Sequence, residues 1–128
     1  VRMDILMQRI ARAHGWLRTG NRIRDRIEQH LRSVERTEEE DSPFLWNGPP
    51  QDRYPYREPA GPEHRRNIPE ISLAELKDFA LQEPEILDED DPAVTLARLL
   101  GVDRLAASSR ERLEKAQEGA RERRRQTE

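Results

Sequence analysis

The sequence predicts a mainly α-helical chain, built of two helix-turn-helix or winged-helix-like repeats with at most a short β-hairpin wing, joined by a Pro-rich linker. Three observations predict it. Apolar residues recur at three- and four-residue steps through most of the chain. Glycines stand where those stripes stop. Residues 10–28 return, without a gap, as residues 96–114.

The first unit spans residues 1–48. Residues 2–14 read as a helix with Met3, Leu6, Ile10 and Ala13 in one stripe, stopped by Gly15 in the usual place for a left-handed cap. Trp16 and Leu17 follow in the turn. Thr19 or Asn21 can cap the next helix, which runs to about Val34 with Ile23, Ile27, Leu31 and Val34 on one face. Its other faces carry Arg22, Arg24, Arg26 and Arg32. Glu38 to Asp41 read as a solvated turn. Phe44, Leu45 and Trp46 read as a short strand where a winged helix would place its wing, closed by Asn47, Gly48, Pro49 and Pro50.

Residues 49–69 hold six of the nine prolines and no periodicity, which predicts an extended linker with Tyr54 and Tyr56 available to pin it down. The second unit spans residues 70–120. Ser72 with Glu75 has capping-box spacing, ahead of an apolar face of Leu73, Leu76, Phe79 and Ala80. Pro84 ends that helix. After the acidic loop Asp88–Asp91, Asp91 as cap and Pro92 as first helical residue start another, which runs to Leu100 and stops at Gly101. A last helix begins near Ala107 and frays into a polar tail, residues 121–128.

Seven of the nineteen repeated pairs are identical: Ala11/Ala97, Arg12/Arg98, Gly15/Gly101, Arg18/Arg104, Arg24/Arg110, Arg26/Arg112 and Glu28/Glu114. An Arg-rich composition supplies some matches by chance. It does not also place the helix-stopping glycine and the apolar positions in register. The copies differ in their last helix, where Ile23 answers to Ser109, Leu31 to Gln117 and Val34 to Ala120. Each lost Ile or Leu burial forfeits roughly 1.5–3 kcal/mol, so the second copy's last helix is expected to be the weaker one unless something covers it.

Composition narrows the function classes. The 128 residues are 34% hydrophobic and 38% charged, which allows only a small core. There is no cysteine, so a disulfide scaffold, a thiolate metal site and a cysteine nucleophile are excluded. No apolar run approaches the ~20 residues that span a membrane and no signal peptide is visible, so a cytoplasmic protein without membrane contact is expected. The start at Val1, already close to a helical pattern, reads as a piece of a longer protein. Net charge is only -3, yet residues 1–36 hold nine Arg against four acids and residues 70–92 hold nine acids against one Lys. Arg outnumbers Lys 21 to 2. Its planar fork suits phosphates and guanine edges, although a GC-rich genome explains most of such a skew.

The strings LMQRIARAHGWLRTGNRIRDRIEQHL, FLW, RNIPEISLAEL and ARLLGVDRLAASSRERLEKA resemble a bacterial domain family of unknown function. That family sits at the C-terminus of superfamily I DNA/RNA helicase-like proteins, usually behind a Vsr-like endonuclease-type domain. The resemblance covers about Asp4 to Glu118. It is most specific over Arg9 to Ile23 and Ile68 to Ile71. The second copy departs from the family's usual L-G-x-x-R-x-G at Leu105, Ala106 and Ala107. The resemblance implies a place beside helicase and nuclease domains in a parent protein. It implies no catalytic residue, and the chain has neither a G-x-x-x-x-G-K-[ST] loop nor a nuclease-type acidic/Lys cluster.

The sequence therefore predicts a non-enzymatic, nucleic-acid-binding accessory module. DNA is the expected ligand, contacted by Arg18, Thr19, Asn21, Arg22, Arg24 and Arg26 at the start of the second helix. Arg18 and Arg22 can bracket a phosphate there. The competing reading is a solvated face with Arg24 paired to Glu28, and Arg22 or Arg26 to Asp25. A further alternative is a protein-docking module whose acidic segment 70–91 meets basic faces of the parent enzyme. His14, His30 and His64 lack ligand spacing, and Asp88–Asp91 lacks the pattern of a calcium loop, so neither a metal nor a cofactor is expected. Trp16 and Trp46 can stack on bases, but as anchors of a small core they need no ligand.

Overall fold

A computed structural model describes residues 1–15, 20–39, 42–49, 51 and 53–127. Trp16, Leu17, Arg18 and Thr19 lie outside the described residues, as does part of the turn at Glu40 and Asp41. The chain divides into two compact units, Val1–Gln51 and Asp52–Glu128. It is mainly helical, with one small antiparallel sheet.

The first unit contains α1 (Met3–Ala13), α2 (Asn21–Leu31), β1 (Glu35–Thr37) and β2 (Phe44–Trp46). The strands pair antiparallel, with Arg36 opposite Leu45, so the hairpin stands where the sequence places a wing. Arg2 makes a bridge to Phe44 on the far side of β2, with the Met3 N–H on the Pro43 carbonyl at 2.9 Å. This pairing shifts the core. Met7 and Ala11 are buried with Ile27, Phe44 and Leu45, whereas Met3, Leu6 and Ile10 are half-buried and Ala13 is exposed. The expected stripe assumed helix against helix. The hairpin shares the core and turns α1 toward its Met7–Ala11 row. Trp46 is half-buried and its indole N–H donates to Thr37 Oγ1 at 3.0 Å, a structural cross-strand contact.

The second unit contains α3 (Leu73–Gln82), α4 (Pro92–Leu99) and α5 (Ala107–Thr127). Ser72 Oγ accepts from the Glu75 N–H at 3.1 Å, the N-cap bond that the spacing predicts, while the Glu75 carboxylate accepts from the Ser72 hydroxyl at 3.2 Å rather than from its backbone N–H. Leu76, Ala80, Leu96, Ala97, Leu113, Ala116 and Ala120 form the core with Ile68, Ile71, Ile86 and Leu87. The stretch expected as a linker packs into this unit from Arg53 onward. Ile68 and Ile71 are buried around a one-turn 3-10 segment, Ile68–Glu70, and the Tyr56 ring lies 4.8 Å from that of Phe79.

The last helix meets the condition under which weakness is not expected, because it is covered. Ser109, Ala116 and Ala120 are small enough to let α3 lie close along α5, so the lost Ile and Leu positions are covered from within the chain. The expected polar tail continues α5. Arg121 donates to the Leu87 carbonyl at 2.9 Å, and Arg124 reaches the Pro84 carbonyl at 3.3 Å and Asp88 at 3.2 Å.

The two copies of the repeat share their local backbone geometry where both are described. Each first helix ends two residues before its glycine, at Ala13 and Leu99, and each second helix starts six residues after it, at Asn21 and Ala107. Gly15 has φ 76° and Gly101 φ 85°, the left-handed region that a Cβ disfavours. The Gly15 N–H reaches the Arg12 carbonyl at 3.0 Å, and the Gly101 N–H reaches Arg98 at the same distance. Arg24 to Gly20 and Arg110 to Ala106 are likewise matched, both at 2.9 Å.

Candidate nucleic-acid interface

Gly20 is the N-cap of α2 and supplies no side chain, so Asn21 is the first helical residue and does not cap. The first-turn N–H groups are left facing the helix end, where the dipole favours an anion. Asn21, Arg22, Arg24 and Arg26 are all exposed. Arg18 and Thr19 fall outside the described residues. At 100° per residue the four do not form a single stripe. Arg22 and Arg26 stand one turn apart on one flank of the Ile23–Ile27 row, and Arg24 lies on the other flank beside Asn21. Arg22 and Arg24 therefore straddle the helix start, with Arg26 one turn further in.

None of the pairs of the competing reading forms. Arg22, Arg24 and Arg26 make no ion pair or hydrogen bond through their side chains with any described residue, Asp25 and Glu28 included. The second copy differs at the same positions. Arg110, the counterpart of Arg24, holds both oxygens of Asp91 at 2.9 and 3.2 Å and lies 3.7 Å from Glu114. Those hydrogen bonds lower the Asp91 carboxyl below its usual range. Arg112, the counterpart of Arg26, donates to the carbonyls of Ile68 at 3.2 Å and Ile71 at 2.5 Å. One copy spends its arginines on the fold, and the other presents them outward.

Two features were missed by the sequence reading. One is a buried acidic pair on α3. Glu75 is held by Arg57 and Arg66, and Asp78 by Arg53, the Tyr56 N–H at 2.9 Å and Gln82 at 2.7 Å. Capping-box spacing explained Glu75 but gave no sign of its burial. With Asp88 on Arg124 and Asp91 on Arg110, four acids of segment 70–91 are already neutralised within the chain. Among the described residues no three His, Cys, Asp or Glu come together to hold a metal ion. The other missed feature is a groove of about 400 Å³ between α1 and α2, lined by Ile10, His14, Ile23, Arg26, Ile27 and His30. The 86-residue offset was the signal that could have found it.

A family described as a protein of unknown function, DUF3320, matches residues 1–25, which hold α1, Gly15 and the first turn of α2. No curated protein and no solved structure matches the chain.

Proposed function

We propose that the chain is a non-catalytic nucleic-acid-binding module, accessory to a helicase- or nuclease-type protein. It takes DNA by its phosphates through the start of α2. The observation that carries this reading is the contrast between copies: Arg24 and Arg26 stand without a partner among the described residues, whereas Arg110 and Arg112 are bonded. Exposed guanidinium groups without a partner among the described residues, around a helix start whose N-cap is a glycine, supply charge and N–H donors together. Such contacts position a duplex or strand and carry little sequence information. The helicase and nuclease context, and a cytoplasmic location with it, rest on the resemblance of the sequence strings. No helix among the described residues is long and apolar enough to cross a membrane.

The test is a salt titration of affinity for labelled duplex DNA, single-stranded DNA and RNA. The reading expects measurable binding with a negative log–log slope, steepest on its preferred ligand. Replacing Arg22 and Arg24 by Ala together lowers that slope by about 2, one unit per lost phosphate contact. Absence of binding at low salt, or an unchanged slope, overturns it.

A further inference from the structure

We infer that the groove between α1 and α2 is a docking site for an acidic amphipathic helix, led in by one turn of 3-10 backbone and presented by a partner protein. The argument comes from the repeat. Adding 86 to the groove residues gives Leu96, Leu100, Ser109, Arg112, Leu113 and Ala116. Every one of these except Arg112 is buried in the second unit. What lies along α5 there is α3, with the 3-10 turn Ile68–Glu70 ahead of it. Arg112 marks the junction, because it caps the carbonyls of Ile68 and Ile71 just before α3 begins. The α5 positions equivalent to the α2 side of the groove are therefore already covered by a turn and a helix, within one chain.

Among the described residues, nothing covers the equivalent positions of the first unit. Ile10 and Ile23 are half-buried and Arg26 is exposed, with no described residue bonded to its guanidinium. Arg26 stands where Arg112 receives the carbonyl ends. The apolar floor of Ile10, Ile23 and Ile27 offers what the apolar face of a helix buries. The segment that forms it is basic, with nine Arg against four acids in residues 1–36, and that selects an acidic partner. The segment covering the equivalent α5 positions has the same sign: residues 68–82 carry Glu70, Glu75 and Asp78 against Lys77. A second copy of the chain does not supply the helix. Its own α3 is fixed by buried Leu76 and Ala80 and by the arginine grip on Glu75 and Asp78. This inference shares Arg26 with the nucleic-acid reading, but it uses the Ile23–Ile27 side of α2 and does not need Arg22 or Arg24.

The probe is a blocked peptide with the sequence of residues 67–83, titrated into the full chain and followed by NMR. The expected result is saturable movement of the His14 and His30 imidazole signals while His64, in the second unit, stays still. Ile23→Asp lowers the affinity by about tenfold or more. Arg26→Glu, at an exposed position that folding does not need, does the same. A scrambled peptide of equal charge does not bind in this way. No movement of His14 or His30 up to about 1 mM peptide overturns the proposal. So does equal binding of the scrambled peptide, unchanged affinity of the Arg26→Glu chain, or movement confined to the second unit. The DNA salt slope is read on the Arg22 and Arg24 substitutions, which leave the groove lining untouched, so the two readings fail separately.

Discussion

Arg66 sets Nη1 3.0 Å from Oε1 and Nη2 2.8 Å from Oε2 of Glu75, a two-pronged grip on a carboxylate with no solvent exposure. Arg57 adds a second guanidinium, with Nη2 2.9 Å from Oε1. Burial alone raises the Glu75 carboxyl, but hydrogen bonds from Arg66 and Arg57 outweigh it and hold the group at about 2. The folded pKa lies below the ordinary 4.5, so the ionised pair stabilises the fold fully above that value. This share is lost as the pH falls from 4.5 toward 2. Urea midpoints followed by circular dichroism should drop across that window, and Glu75→Gln should flatten the drop. At neutral pH, Glu75→Gln leaves two guanidinium groups facing a neutral amide and is expected to cost about 3 kcal/mol.

Gly15→Ala and Gly101→Ala test the shared backbone. Each forces a Cβ into left-handed geometry, at a cost of about 1 kcal/mol or slightly more. A Cβ at Gly15 meets nothing within 4 Å, so strain is the whole cost. At Gly101 it comes within 2.7 Å of Arg65 Nη1, and that side chain must also move. Both tryptophans are in residues 1–51, so Trp fluorescence reads the first unit. Gly15→Ala should shift that transition and Gly101→Ala should not.

Gln117 is a place where the second copy can be improved. It is buried and its amide nitrogen has no hydrogen-bond partner among the described residues, while its counterpart in the first copy is Leu31. An orphaned buried donor costs about 1–3 kcal/mol. Gln117→Leu is expected to stabilise the second unit by about 1 kcal/mol in urea unfolding followed by circular dichroism. A loss of stability would show that the amide is satisfied in solution.

Much of the fold was legible because its signals are local. Glycines at the helix ends, the Ser72–Glu75 cap, Pro92 at a helix start and the Phe44–Trp46 strand each depend on a few neighbouring residues. What escaped the sequence depends on distant ones. Residues 53–71 have the prolines of a linker, yet Arg53, Arg57 and Arg66 are tied to acids nine to twenty-five positions away. The weak stripe of α5 looked like instability because small residues in a helix signal either exposure or close approach. Only the position of α3 separates the two. At the candidate interface the exposure of Asn21, Arg22, Arg24 and Arg26 followed from the helical period. That Arg24 and Arg110 would have different partners did not, since Asp91 has no acid at its counterpart position: the offset places Asp91 on Ile5, inside α1.

Arginines at equivalent repeat positions divide the labour, so the most direct measurement is a paired substitution read two ways. Arg22→Ala with Arg24→Ala should weaken binding to duplex DNA at low salt and leave the melting temperature where it was. Arg110→Ala with Arg112→Ala should lower the melting temperature and leave DNA affinity intact. If the first pair changes stability and not binding, or the second pair abolishes binding in a folded chain, the division is contradicted.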